Sequence, residues 1–369
     1  MRIYITIYLL LNLISIGNAQ HNIEQHILSS SYLSEDRVID VYLPATYNAY
    51  EKNYPVLYLL DGEYIFDYAA GTLSFLTNDF GHFPELIIVG IPNTERLRDM
   101  YVTFNEEDSF MNFVHFLQHE LFPFVNEKYR TNTFEILYGW SSASGICDYI
   151  LINQPELVDA YILTGTGIGP KTEAYIRNSN IQANDYSGKY LYANVEDEGP
   201  RKPSLLRYQN LMSELKPPGL TMQFEVVPNS KHVGVMAEGL DRGLKFIFAD
   251  YYIPDSITLQ GVEAIIDYYV ALGNKYHIDP HPPVGAINES AGILWYNEKK
   301  EEAFELLEYG IKHYPQSATL YGSMAELYLI KPDTKLARKY FKEALNRSTD
   351  KISEHLKYKT LLQSVPEDE

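Results

Sequence analysis

A single cysteine, Cys147, leaves the chain with no internal disulfide, so its stability must come from burial and not from covalent cross-links. Basic residues are scarce: 30 Lys and Arg stand against 49 Asp and Glu, for a net charge of -19. They form no cluster beyond surface pairs such as Lys299 and Lys300, which excludes a nucleic-acid surface, because a phosphate backbone is held by grouped cations. Long apolar runs are missing after the N-terminus, and nothing there approaches the roughly 18 residues that a bilayer span needs. Metal-ligand patterns are missing too. His115 and His119 stand four apart with no third ligand of the zinc type, and neither a metal nor a cofactor is expected.

What is present begins with the first nineteen residues: one Arg, the apolar run YITIYLLLNLISI, then Gly17-Asn18-Ala19, small residues where a signal peptidase reads. They predict a cleaved secretory signal over 1–19 and a chain starting at Gln20 that is secreted or periplasmic, with no membrane span left after cleavage. Cys147 falls on an apolar helix and reads as a buried, inert thiol.

At 369 residues the chain exceeds the size at which single cores stop growing, about 250 to 300 residues, and two units are expected. Residues 20–50 alternate apolar and polar and predict two antiparallel strands. Continuous apolar runs at 54–60, 86–92, 134–139, 160–165, 189–195 and 222–228 predict strands covered on both faces. Helical patterns, among them Ser109 to Lys128 and Pro203 to Leu215, lie between them. This alternation predicts an α/β domain over 20–253, a doubly wound, mostly parallel sheet that binds ligands at the carboxyl ends of its strands.

From 254 to 369 strand-like runs vanish and helices follow one another. Segments 301–315 and 335–349 superpose with a 34-residue offset: Ala303 on Ala337, Leu307 on Phe341, Ile311 on Leu345, and earlier Ala291 on Ala325. A 34-residue period of paired helices resembles the tetratricopeptide repeat. Two copies are too few to stand alone, so Ile257 to Ile278 is expected to supply another packing helix and the array to lean on the sheet. A protein partner and self-association are both open to this tail.

The chemistry centres on YGWSSASG at 138–145, a strand-to-helix junction holding a G-x-S-x-small frame, Gly139-Trp140-Ser141-Ser142-Ala143. A serine so placed acts as a nucleophile when a histidine takes its proton, an acid orients the histidine and amide hydrogens receive the oxyanion. In this fold the chain order is serine, acid, histidine, each after its own strand. After KYLYANV come Glu196, Asp197 and Glu198, of which the reading favours Glu198. After MQFEVVP comes His232. Oxyanion donors are expected at the Ser142 amide and at Gly62 or Glu63, with Asp61 bonding its own turn. The position of Ala143 must be small, because the helix packs closely on the neighbouring strand, and Ala adds only a methyl. Arg96 is a candidate substrate contact or a brace for its loop, and Trp140 a wall of the site or a packing residue.

Several stretches resemble one family, the esterases that include esterase D and the enterochelin (siderophore) esterases. They are YPVLYLLDGE at 54–63, LIIVGIPNTERLRDMYVTF at 86–104, FLQHELFPFVNEKYRTN at 116–132, GWSSASG, and VPNSKHVGVMAEGLDRGLKFIF at 227–248. The likeness runs over about 27–250 and departs from the family at Ala143-Ser144, where two glycines are usual. It implies the α/β-hydrolase fold, with Ser141 as nucleophile, His232 as base and Glu198 as acid. A tetratricopeptide-like tail is similar to that of secreted bacterial members. The expected protein is a secreted serine hydrolase of small carboxylic esters. The second reading is an impaired hydrolase-like interaction protein whose tail binds a partner.

Overall fold

The computed structural model describes residues 22–78, 83–105, 108–331, 333–348 and 352–366. The segment read as a secretory signal lies outside them. Eight strands form one sheet: β1 (Asn22–Ser30), β2 (Glu35–Leu43), β3 (Tyr54–Leu60), β4 (Ile87–Ile91), β5 (Thr131–Trp140), β6 (Ala160–Thr164), β7 (Tyr190–Glu196) and β8 (Thr221–Val227). Their spatial order is β1-β2-β4-β3-β5-β6-β7-β8. The first two strands form an antiparallel ribbon, β2 also pairs antiparallel with β4, and every pair from β4 to β8 is parallel. Every residue of β3, β4, β6 and β7 is buried, as unbroken apolar runs require when helices cover both faces.

One face packs on the helices between Phe110 and Lys128 and on Ser144–Asn153 and Lys202–Leu215, through Val56, Tyr58, Leu60, Val89 and Leu137. The other meets Gly62–Asn78 and Gly234–Ile247, through Leu57, Leu59, Ile136, Tyr138 and Ile162. That second core continues without a break into the helical region, taking in Ile265, Tyr276, Ile287, Leu306, Leu320 and Met324. The tail therefore shares a core with the sheet. Its helix pairs, Val284–Tyr296 with Lys300–His313 and Ala318–Ile330 with Thr334–Arg347, start 34 residues apart (284 to 318, 300 to 334). Among the described residues no helix is long and apolar enough to cross a membrane.

The segment expected as one helix over 109–128 is interrupted. Between Phe110–Phe116 and Phe122–Lys128 a π turn spans Leu117–Leu121, and the Phe122 N–H reaches back to the Leu117 carbonyl. Pro123 is the cause, since it has no N–H to donate and its ring crowds the carbonyl four residues back, which opens the register there.

The helix Ser144–Asn153 carries a buried acid, Asp148, which accepts a 2.5 Å hydrogen bond from the Tyr208 hydroxyl. Burial pushes its carboxyl up to about 7 from an ordinary 3.8, against the lowering effect of that bond. The folded chain thus holds the proton more tightly than the unfolded one. The stability this gives is complete below the unfolded value, is lost as pH rises toward 7 and is flat above. In urea unfolding at pH 5 and pH 8, wild type should lose stability relative to Asp148→Asn at the higher pH. Parallel behaviour of the two would contradict a protonated Asp148.

Candidate active site

Strand β5 ends at Trp140, and Ser141 begins a 3-10 turn (Ser141–Ala143) that runs into the helix Ser144–Asn153. Ser141 has φ +56, a left-handed backbone that costs a residue with a Cβ about 1–2 kcal/mol. The turn is tight. A Cβ on Gly139 would lie 2.7 Å from the Ala143 carbonyl oxygen and 2.8 Å from Cys147 Sγ, so the first glycine of the frame is indispensable. Ala143 has φ -64, an ordinary helical value, and is fully buried, so its methyl costs no backbone strain.

The serine hydroxyl lies 3.1 Å from His232 Nε2, and His232 Nδ1 lies 3.3 Å from Glu196 Oε2. The carboxylate at the histidine is therefore Glu196, the last residue of β7, and not Glu198, which is exposed. The strand runs one residue further than its apolar pattern suggests, and this carries Glu196 inward to 2 % side-chain exposure. Its other oxygen accepts a 3.0 Å bond from Arg201 Nη1. Burial pushes the Glu196 carboxyl up, but its own backbone N–H, Arg201 and His232 outweigh this and hold it below its ordinary value.

The middle acid holds the loop instead. Asp197 accepts from the backbone N–H groups of Asn229 (2.8 Å) and Ser230 (3.2 Å), which fastens the turn that carries His232 to the end of β7. The Asn229 amide is the main reason its carboxyl sits below the ordinary value. Trp140 forms the histidine's other wall: its ring lies 4.9 Å from the imidazole, and its indole N–H donates to the His232 carbonyl at 3.0 Å. Gly165, after β6 with φ +59, closes the remaining side, and a Cβ there would come within 2.7 Å of His232 Cε1 and 2.9 Å of Nδ1. Gly165→Ala should therefore shift the imidazole and lower kcat by about 100-fold with the fold kept. An unchanged kcat in steady-state assays would show that the ring has slack.

Arg96 is engaged by protein groups. It grips the fully buried Asp61 with two bonds, Nε to Oδ1 at 2.7 Å and Nη2 to Oδ2 at 2.8 Å, and also donates to the Trp140 carbonyl at 3.2 Å. Its guanidinium lies 5.6 Å from the Trp140 ring, and Asn93 donates to the same carboxylate. This network ties the loop after β3 to the end of β5 through a residue 35 positions from Asp61 and 44 from Trp140, which no local pattern could reveal. Removing one partner of a buried pair costs about 3 kcal/mol or more, so Arg96→Met should lose about that much in urea unfolding. A stable variant with a raised KM would instead make Arg96 a substrate contact.

Gly62 opens the helix Gly62–Asn78 directly after β3, and β3 lies beside β5, so Gly62 and Ser142 sit at the carboxyl ends of adjacent strands. Amides in the first turn of a helix have no intrahelical acceptor. Ser144, which the sequence left without a role, donates to the Ser141 carbonyl at 2.6 Å and pairs with Thr166 at 2.7 Å, bracing the turn from within. A polar recess lined by Gln118, Asn132, Glu135, Asp159 and His277 opens at the other edge of the sheet, by the amino ends of the strands, away from Ser141. Among the described residues no set of three His, Cys, Asp or Glu side chains converges as metal ligands.

The family model described as "Putative esterase" matches residues 30–160. No curated protein matches the sequence. An IroE-like serine hydrolase from Shewanella oneidensis is 25% identical, its match covering 77% of this chain and 98% of its own, with a TM-score of 0.62. A Capnocytophaga ochracea protein of 16% identity matches over 93% of this chain and 99% of its own, also at 0.62, a span that reaches well into the helical region. The siderophore hydrolase EstB from Aspergillus nidulans is 20% identical over 63% of this chain and 96% of its own, at 0.52. The chain thus has a serine-type esterase fold, with an all-helical region following the sheet.

Proposed function

We propose that the protein hydrolyses carboxylic esters through Ser141, His232 and Glu196. The observation that carries this reading is a serine held in a left-handed turn 3.1 Å from an imidazole whose other nitrogen faces a buried carboxylate. In the first half of the reaction Ser141 Oγ attacks the ester carbonyl carbon while His232 Nε2 takes its proton. Glu196 keeps the Nδ1 proton in place and stabilises the imidazolium. The amides of Ser142 and Gly62 receive the oxyanion. Collapse of the tetrahedral intermediate breaks the bond to the alcohol oxygen, which leaves with the histidine's proton. Water, deprotonated by the same nitrogen, then releases the acid and restores the serine hydroxyl.

The lowered carboxyl of Glu196 supports this assignment, because its own backbone N–H, Arg201 and His232 favour the ionised form that an orienting carboxylate needs. Residues 1–19 support export to the periplasm or the medium. The 34-residue offset of the two helix pairs supports a tetratricopeptide-like tail. The Aspergillus neighbour is named a siderophore hydrolase, which favours siderophore-type esters over simple acyl esters. Assay of the purified chain on a panel of a catecholate trilactone, a feruloyl ester, an acetylated sugar and short nitrophenyl esters tests the reading. Turnover of at least one above the Ser141→Ala background is expected. Failure on all four would overturn it.

A further inference from the structure

The helical region carries two charged rows that form no ion pair among the described residues. Helix Lys300–His313 exposes Glu301, Glu305 and Glu308, and helix Thr334–Arg347 exposes Lys335, Lys339 and Lys342. The spacing i, i+4, i+7 places each trio on one helix face. Each lysine stands 34 residues after a glutamate (301 to 335, 305 to 339, 308 to 342), so equivalent positions of the two helix pairs carry opposite charge.

Neighbouring charges are satisfied differently. Lys299 pairs with Glu302, Lys300 with Glu298 and Arg347 with Glu343. Among the described residues none of the six forms an ion pair. The helix dipole explains only half of the pattern, because it favours Glu301 in a first turn and disfavours Lys335 in the corresponding one. An aromatic seam joins the two helices. The Phe304 ring lies 4.8 Å from Tyr328, and Tyr328 stacks on Tyr340 at 5.5 Å and 12°. Ile330, at the end of the middle helix, is 62% exposed.

We propose that this surface is a two-fold interface with a second copy of the chain, each protomer's glutamate row meeting its partner's lysine row across the aromatic seam. A two-fold interface uses one patch twice, so the patch must complement itself. This one does when the axis runs along the helices, because each glutamate then faces the lysine at its equivalent repeat position and every contact forms twice. An axis across the helices would set like charges together. A uniformly anionic partner, a lipid surface included, would be repelled by the glutamate row, and a uniformly basic one by the lysine row. A partner must carry both signs at the same spacing, and this chain does.

Sedimentation velocity on the full chain tests the proposal through three variants. Reversing the acidic row (Glu301→Lys, Glu305→Lys and Glu308→Lys) should weaken the dimer at least about a hundredfold. Reversing the basic row (Lys335→Glu, Lys339→Glu and Lys342→Glu) should do the same. A chain with all six reversed should dimerise like wild type, which also shows that the substitutions leave the fold intact. A wild type that stays monomeric would overturn the proposal, as would a dimer indifferent to either triple. So would a monomer that binds anionic phosphatidylglycerol vesicles through the lysine row.

Discussion

Ser141→Ala should lower kcat about 10^4- to 10^6-fold on any ester the protein turns over, as loss of the nucleophile does when serine and histidine act as a unit. The same position yields a second, independent readout. Ser141 holds φ +56, a conformation that glycine adopts without penalty, so Ser141→Gly should abolish activity and raise stability by about 1 kcal/mol. A serine serving only as a turn residue would give neither the loss of rate nor the trade of stability for activity. Steady-state kinetics and urea unfolding on the same two preparations measure both.

The second large effect separates two acids that lie two residues apart. Glu196→Gln keeps the shape of the side chain and removes the charge that faces His232 at 3.3 Å and Arg201 at 3.0 Å. The imidazole then loses its stabilising carboxylate and its fixed tautomer, and kcat should fall about 10^3- to 10^4-fold. Glu198→Gln, at an exposed position, should stay within about twofold of wild type, as surface changes away from a site do. The reverse ranking would return the acid's role to Glu198 and would require the loop after β7 to rearrange. Arg201→Met is a useful companion: it leaves the chain from Ser141 to Glu196 intact, but removes one of the contacts that hold the carboxyl below its ordinary value.

The strands were legible in the sequence because most of them are buried on both faces. YPVLYLL, AYILT and their neighbours have no polar alternation to obscure their limits, and the observed ends fall close to the expected ones. Ser141 and His232 were legible for a related reason: each follows a strand at the sheet's carboxyl edge, where the fold puts its reactive groups. Glu196 was not, because three consecutive acids look alike until the strand's register decides which one turns inward. Its register partner Val227 ends β8, so pairing between strands, not local sequence, carries Glu196 inward. The bond from Arg96 to Asp61 was hidden by sequence distance. The lean of the tail on the sheet was legible, since two repeats are too few to stand alone, and the core that Val262–Tyr276 and Val284–Tyr296 share with the sheet bears it out.

The most direct test of the central claim is covalent labelling with a fluorophosphonate, which reacts with a serine only when a base activates it. One adduct per chain is expected, on the peptide that contains Ser141, formed at least about 100-fold more slowly in His232→Asn. An adduct on another residue, or labelling at Ser141 that proceeds equally fast without the imidazole, would contradict it.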